Sequence, residues 1–349
     1  VRNLRPAFIA LLIGCAAIAA FFAPAEAHHR PWHPKRSPSP SPISKSLAKG
    51  IFTRSGIPPA GTPVRVATVP VSWSVLEANR DQMTLDPIES ALDTAQSRDL
   101  DGVRLRVFAG RHAPAWAKDI GDGPIGYVEP QNGQTGAIPD VWDPAYQAEV
   151  AELFAAICGS YDADPRLRLL FASGAMTWYA EPFIRGIASP ENRQALLAAG
   201  YTKEADAAAQ RWQLDIMAPC TQTPIGLAYN PWQFVNADGT GGSSVAFMAE
   251  VMDHHIASFG ERTVLQNNSI RSSFIGSPPP MYAEFRARLL APGTTQYQTA
   301  AAVRIGDAAA TMDWAIDYLQ ASGVELVDNY AAVHTDAELA DYDRRLRAL

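Results

Sequence analysis

Val69-Pro70-Val71-Ser72-Trp73-Ser74-Val75-Leu76-Glu77, then Gly102-Val103-Arg104-Leu105-Arg106-Val107-Phe108, then Arg111-His112-Ala113-Pro114-Ala115-Trp116 carry the reading of the fold. The first two runs have strand character, and Pro87–Arg98 between them has the period of a helix. A strand, a crossover helix and a second strand make a right-handed unit with parallel strands. In the second run Val103, Leu105 and Val107 share one face and suit contact with outer helices, so Arg104 and Arg106 point inward. Unpaired charge inside a barrel is costly, so both arginines require lumen carboxylates, and Glu181 and Glu325 are the candidates.

The same alternation runs outward along the chain. Strands are expected at Gly50–Arg54, Val64–Val71, Gly102–Phe108, Leu167–Ser173, Ile225–Tyr229, Arg262–Asn267, Thr295–Thr299 and Val324–Asp328, with helical segments between them. That order predicts a closed (β/α)8 TIM barrel over residues 50–349, an α/β fold whose loops after the strands gather at one rim. Ahead of it, residues 1–27 read as a signal peptide. Arg2 and Arg5 precede the apolar run Ala7 to Phe22, and Ala25-Glu26-Ala27 supplies a small-x-small cleavage pattern. Leu12-Ile13-Gly14-Cys15 offers the rival reading of a lipoprotein signal, and an uncleaved anchor is the third; in every case the chain is expected to be exported, secreted or held at the cell surface. Residues 28–49 are rich in Pro, Ser and basic side chains and read as a disordered linker that leans on anionic cell wall, or that binds a metal through His28, His29 and His33.

With 47% hydrophobic residues among 349, the chain has apolar mass for a full core, and its net charge of -7 excludes a basic field for nucleic acid. It has no nucleotide-binding glycine loop, no metal-ligand cysteine pairs and no serine-nucleophile elbow, so neither cofactor nor metal is expected. His254 and His255 are adjacent on a helix and point in different directions. Asp238-Gly239-Thr240-Gly241-Gly242 reads as a flexible loop able to cover a cleft. Cys15 leaves with the signal. Cys158 and Cys220 each fall after a helix and before a strand, at the same end of neighbouring units, and a disulfide is the expectation over two free thiols.

The stretch from Val69 to Trp116, with Trp73 and Glu77 after one strand and Pro114-Ala115-Trp116 after the next, resembles the front of glycoside hydrolase barrels, in particular family 42 β-galactosidases. Thr177-Trp178-Tyr179-Ala180-Glu181-Pro182 is similar to the Asn-Glu-Pro of their clan, with Ala180 in place of the Asn. The resemblance implies Glu181 as acid/base. It also implies a nucleophile at the end of the seventh strand, where Thr295-Gln296-Tyr297-Gln298-Thr299-Ala300 holds no acid. Glycoside cleavage needs two carboxyl groups, about 5 Å apart for retention and about 6.5–9.5 Å for inversion. Glu325 is the nearest alternative as the second, with Glu77 and Asp328 as further options, the other reading of each being a partner to the arginines.

Trp73, Trp116, Trp178, Tyr179 and Trp232 fall at or after strand ends, where rings stack on sugar C–H faces. Asn230, Gln233, Asn267, Asn268 and Gln298 supply neutral hydrogen bonds, and Arg106 and His112 are expected to hold substrate or the catalytic Glu181. The expectation is a secreted glycoside hydrolase-like barrel acting on carbohydrate. The alternatives are a catalytically inactive barrel that binds extracellular glycan and, third, a solute-binding lipoprotein.

Overall fold

Eight parallel strands close into a barrel in this computed structural model, which describes residues 45–289 and 295–349. The barrel strands are β1 (Gly50–Thr53), β2 (Val66–Ser72), β3 (Gly102–Phe108), β6 (Leu167–Phe171), β7 (Ile225–Ala228), β10 (Thr263–Ile270), β11 (Thr295–Thr299) and β12 (Gly323–Leu326). Each of the eight expected strands is present, and their ring order β1-β2-β3-β6-β7-β10-β11-β12 follows the sequence, as a (β/α)8 TIM barrel requires.

Two antiparallel hairpins were not anticipated: β4 (Ile125–Val128) with β5 (Thr135–Ile138), and β8 (Trp232–Val235) with β9 (Gly241–Ser244). Each lies in the connection from a barrel strand to the next long helix, and therefore at the rim where the C-terminal strand ends converge. Asp238-Gly239-Thr240-Gly241-Gly242 is thus no free lid. Asp238 and Gly239 form the hairpin turn, and Gly241 and Gly242 pair with Val235 and Phe234. A strand beginning Gly-Gly has weak β-propensity, which hid it from a sequence reading. The missing side chain is needed, because a Cβ at Gly242 would fall 2.5 Å from the Phe234 ring.

The helix layer forms where helix signals are strong. Pro144–Tyr161 starts at Asp143, whose carboxylate accepts from the amides of Ala145 and Tyr146, with proline in the first turn. At that helix's far end Cys158 is bonded to Cys220, with Cα atoms 4.9 Å apart, linking the approaches to neighbouring strands β6 and β7.

The signal and most of the expected linker, with Cys15, His28, His29 and His33, lie outside the described residues. The linker's last residues lie against the barrel. Lys45 Nζ donates to the carbonyls of Tyr161 and Leu167 and to Thr223 Oγ1, and Leu47 packs on Leu169, Phe171 and Val264.

Candidate functional site

Inside the barrel β3 delivers Arg104 and Arg106, and β12 delivers Glu325 to meet both. Arg104 Nη1 lies 3.0 Å from Glu325 Oε2, while Arg106 reaches Oε1 and Oε2 through separate amino groups at 3.1 Å. Thr68, Gln266 and Gln298 donate to the same carboxylate. Glu325 is wholly inaccessible. Burial alone would raise its pKa, but Arg106 and Arg104 outweigh that and hold it at about 2. Burial pulls the Arg104 guanidinium down to about 9 against the attraction of Glu325, so at neutral pH two cations share one anion. The aromatic faces of Phe52 and Phe171 lie 4.2 Å from the Arg104 and Arg106 guanidinium carbons respectively. Of the two lumen partners expected for these arginines, only Glu325 contacts them.

Above this floor a cleft of 470 Å³ opens at the C-terminal rim. Arg106, His112, Trp178, Tyr179, Glu181 and Gln298 all line it. Asn268, Gln298 and Glu325 are register partners on β10, β11 and β12, so one row of side chains runs from the sealed floor to the opening. Asn268 Nδ2 donates to Glu181 Oε1 at 2.7 Å, and Gln266 Nε2 bridges Asn268 Oδ1 at 2.9 Å and Glu325 Oε2 at 3.3 Å. Glu181 is therefore joined to Glu325 through two amides and touches neither arginine. The β10 register shifts just after Asn268, where Ser269 adopts φ 81 and faces the cleft. Left-handed backbone at a non-glycine bulge is strained, and such bulges re-aim side chains beside functional clefts.

A second opening of 330 Å³ adjoins the first, with Glu181, Asn268, Ser269, Tyr179, Gln131 and Arg304 common to both linings. Glu181 thus stands at the junction of a two-part cleft. Asn230 lines only the second part.

Four sequence candidates are placed elsewhere. Trp73 is fully buried, donating to Glu77 Oε2 at 2.9 Å and packed edge-on against Trp116, whose own Nε1 donates to the Glu77 carbonyl. Trp232 is buried against Phe247 and donates to Asp206. Asn267 faces the helix layer, bonded to the Tyr229 carbonyl and the Tyr282 hydroxyl. None of the four lines either opening. The indole of Trp178, though in the lining, is stacked on Tyr127 at 5.2 Å and carries the Arg111 guanidinium 4.6 Å from its centroid.

His112 stacks on Phe108, and its Nε2 accepts from Arg111 Nε at 3.0 Å. Its Nδ1 then carries the proton toward Ser72 Oγ. Burial lowers its pKa, reinforced by Arg111 and Lys118, which favours the neutral ring.

Glu129 is the cleft acid that sequence reasoning missed. It follows β4, is buried, and accepts from the Tyr179 hydroxyl and from the amides of Gln131 and Asn132. The signal available was Glu129-Pro130-Gln131-Asn132-Gly133, a turn sequence ending in a glycine that adopts φ 73. Asn268 was legible by alternation: if Gln266 faces in, so does Asn268, and Asn267 faces out.

No family model matches this chain, and no curated protein matches its sequence. Solved structures share the barrel. The catalytic domain of β-amylase from Paenibacillus polymyxa superposes with a TM-score of 0.54 at 9% identity, over 86% of this chain and 98% of that one. The β-galactosidase from the haloarchaeon Halorubrum lacusprofundi gives 0.48 at 12% identity, over 82% and 54%, and that from Marinomonas ef1 gives 0.43 at 13%, over 75% and 49%. This chain spans about half the length of those β-galactosidases. At such identities the likeness shows the fold alone: a (β/α)8 barrel of the kind found in glycoside hydrolases.

Proposed function

We propose that this protein is an exported barrel that binds a saccharide chain in the two-part cleft centred on Glu181. The observation that carries this reading is the lining itself. Amide side chains from Gln131, Asn268 and Gln298 surround an elongated opening at the rim where barrel loops hold ligands. Such groups match the hydroxyls of a sugar, and the division into two parts suits adjacent sugar units. Cleavage through Glu325 has no support, because its two oxygens are engaged by five side chains and no surface of it reaches the cleft. At the end of the seventh strand stands Gln298, a neutral amide that cannot displace a leaving group. Export is supported by the Cys158–Cys220 disulfide, which an oxidising compartment favours.

One observation favours a second reading, hydrolysis: Glu181 and Glu129 line the same cleft. In that chemistry Glu181 would give its proton to the glycosidic oxygen, while Glu129 would serve as the second carboxylate at the anomeric carbon. Calorimetric titration of the mature chain with an oligosaccharide panel, run beside a reducing-end assay, separates the two. Saturable binding with no new reducing ends is the expected result. Turnover lost in both Glu181→Gln and Glu129→Gln would replace binding by hydrolysis. No titration by any saccharide would end both readings. N-terminal sequencing of the chain recovered outside the cell tests export.

A further inference from the structure

On a chain of net charge -7, the two-part cleft is a local inversion: its linings hold Arg54, Arg106, Arg111, Arg271 and Arg304 against only Glu129 and Glu181. Beneath it Glu325 is shared by Arg104 and Arg106, so the floor balances Arg104 and adds no net negative charge to the lining. Four of the lining arginines have no carboxylate partner among the described residues. Arg111 contacts His112 and the Trp178 face, Arg304 contacts Gln131, and Arg271 lies over Phe274 with its buried Nε unbonded. Arg54 is exposed at the rim, and its neighbour Ser55 donates to Asp328. Elsewhere on the surface the arrangement is different: Arg166, Arg288 and Arg345 each contact two or more acids.

The two cleft acids do not cancel this field. Glu129 is occupied by a tyrosine hydroxyl and two backbone amides, and Glu181 by Asn268, so neither meets an arginine. Arg111 is also oriented, held between His112 and the Trp178 ring, and among the described residues the rest of its fork has no hydrogen-bond partner. A planar fork fixed in this way matches a bidentate anionic group, a carboxylate or a sulfate ester, better than it matches a hydroxyl.

We propose that the ligand of this cleft is an acidic saccharide, with anionic groups on sugar units seated on both sides of Glu181. Arg54 and Arg111 face the unit in the larger part, Arg271 the unit in the smaller part, and Arg304 the junction. The inference rests on the saccharide-binding reading and adds the charge of the substrate class.

Titration of the mature chain with three probes of similar length tests it: a neutral gluco-oligosaccharide, an oligouronate and a sulfated neutral oligosaccharide. At least one acidic probe is expected to bind tenfold or more tighter than the neutral one, and to weaken as salt rises from 50 to about 500 mM, as exposed charge contacts do. The better of the two acidic probes names the group as carboxylate or sulfate. Arg304→Gln and Arg271→Gln should each lose about tenfold for the acidic probe, a factor worth about 1.4 kcal/mol, and should lose less for the neutral probe. An unchanged thermal midpoint for each variant shows that the barrel is intact. Equal or tighter binding of the neutral probe overturns the inference and leaves saccharide binding standing. Binding of none of the three overturns both.

Discussion

Arg106 clamps Glu325 through two separate amino groups, Nη1 on Oε1 and Nη2 on Oε2, each at 3.1 Å. The pair joins β3 to β12 across the lumen, and Arg104 adds a third contact from the same strand. A carboxylate held this way is a structural anion. Glu325→Gln removes the only carboxylate that pairs with these two buried guanidinium groups among the described residues, and breaking a buried pair typically costs about 3–5 kcal/mol. Urea unfolding of the variant is expected to show a loss of that order.

Acid should destabilise the barrel through two buried groups whose pH ranges overlap. His255 is buried, and desolvation is the main cause holding its pKa at about 3 rather than 6.5. The unfolded chain takes up that proton first, so the contribution of His255 to stability declines as pH falls from 6.5 toward 3. The Glu325 pKa lies at about 2 instead of 4.5, so its contribution is complete above 4.5 and is lost as pH falls through 2. Denaturation midpoints measured from pH 7 to 2 should decline throughout, and His255→Phe should flatten the upper part of the curve.

The Cys158–Cys220 bond closes a sequence separation of 62 residues. Loop-closure entropy assigns such a link about 4 kcal/mol. A Cys158→Ala, Cys220→Ala double variant should lose a comparable amount, and reductant should lower the thermal midpoint of the parent but not of the variant.

Asp206 anchors the loop that carries Glu181. It meets Arg185 in a pair with no exposed surface, and also accepts from Tyr201 and Trp232. Arg185 in turn donates to the carbonyls of Ala175 and Pro182, on either side of Glu181. Asp206→Asn should therefore destabilise the fold by about 3–5 kcal/mol and raise hydrogen exchange across residues 176–187 more than in the barrel strands.

The stretch from Val69 to Trp116 was legible as fold and misleading as site. Trp73, Glu77 and Trp116 bond to one another and pack into the core beside β2, so their pattern marks a structural corner rather than a sugar platform. Trp232 was misplaced for a related reason: its indole N–H is drawn to Asp206, a buried acid on a helix that strand spacing does not reveal. Glu181 and Gln298 were legible because barrel strands send their ends to one rim, and position after a strand was enough. Glu129 was not, because it belongs to a hairpin inserted in a loop, where no barrel periodicity applies.

The amino-acid sequence alone determined the eight-strand alternation, the inward face of Arg104 and Arg106, and the cysteine pair, because these follow from local period and burial. Only the tertiary structure decided which carboxylate those arginines meet and which acids border the cleft. Arg104 and Glu325 are 221 residues apart, and closure of the ring, not any local preference, brings them to 3.0 Å.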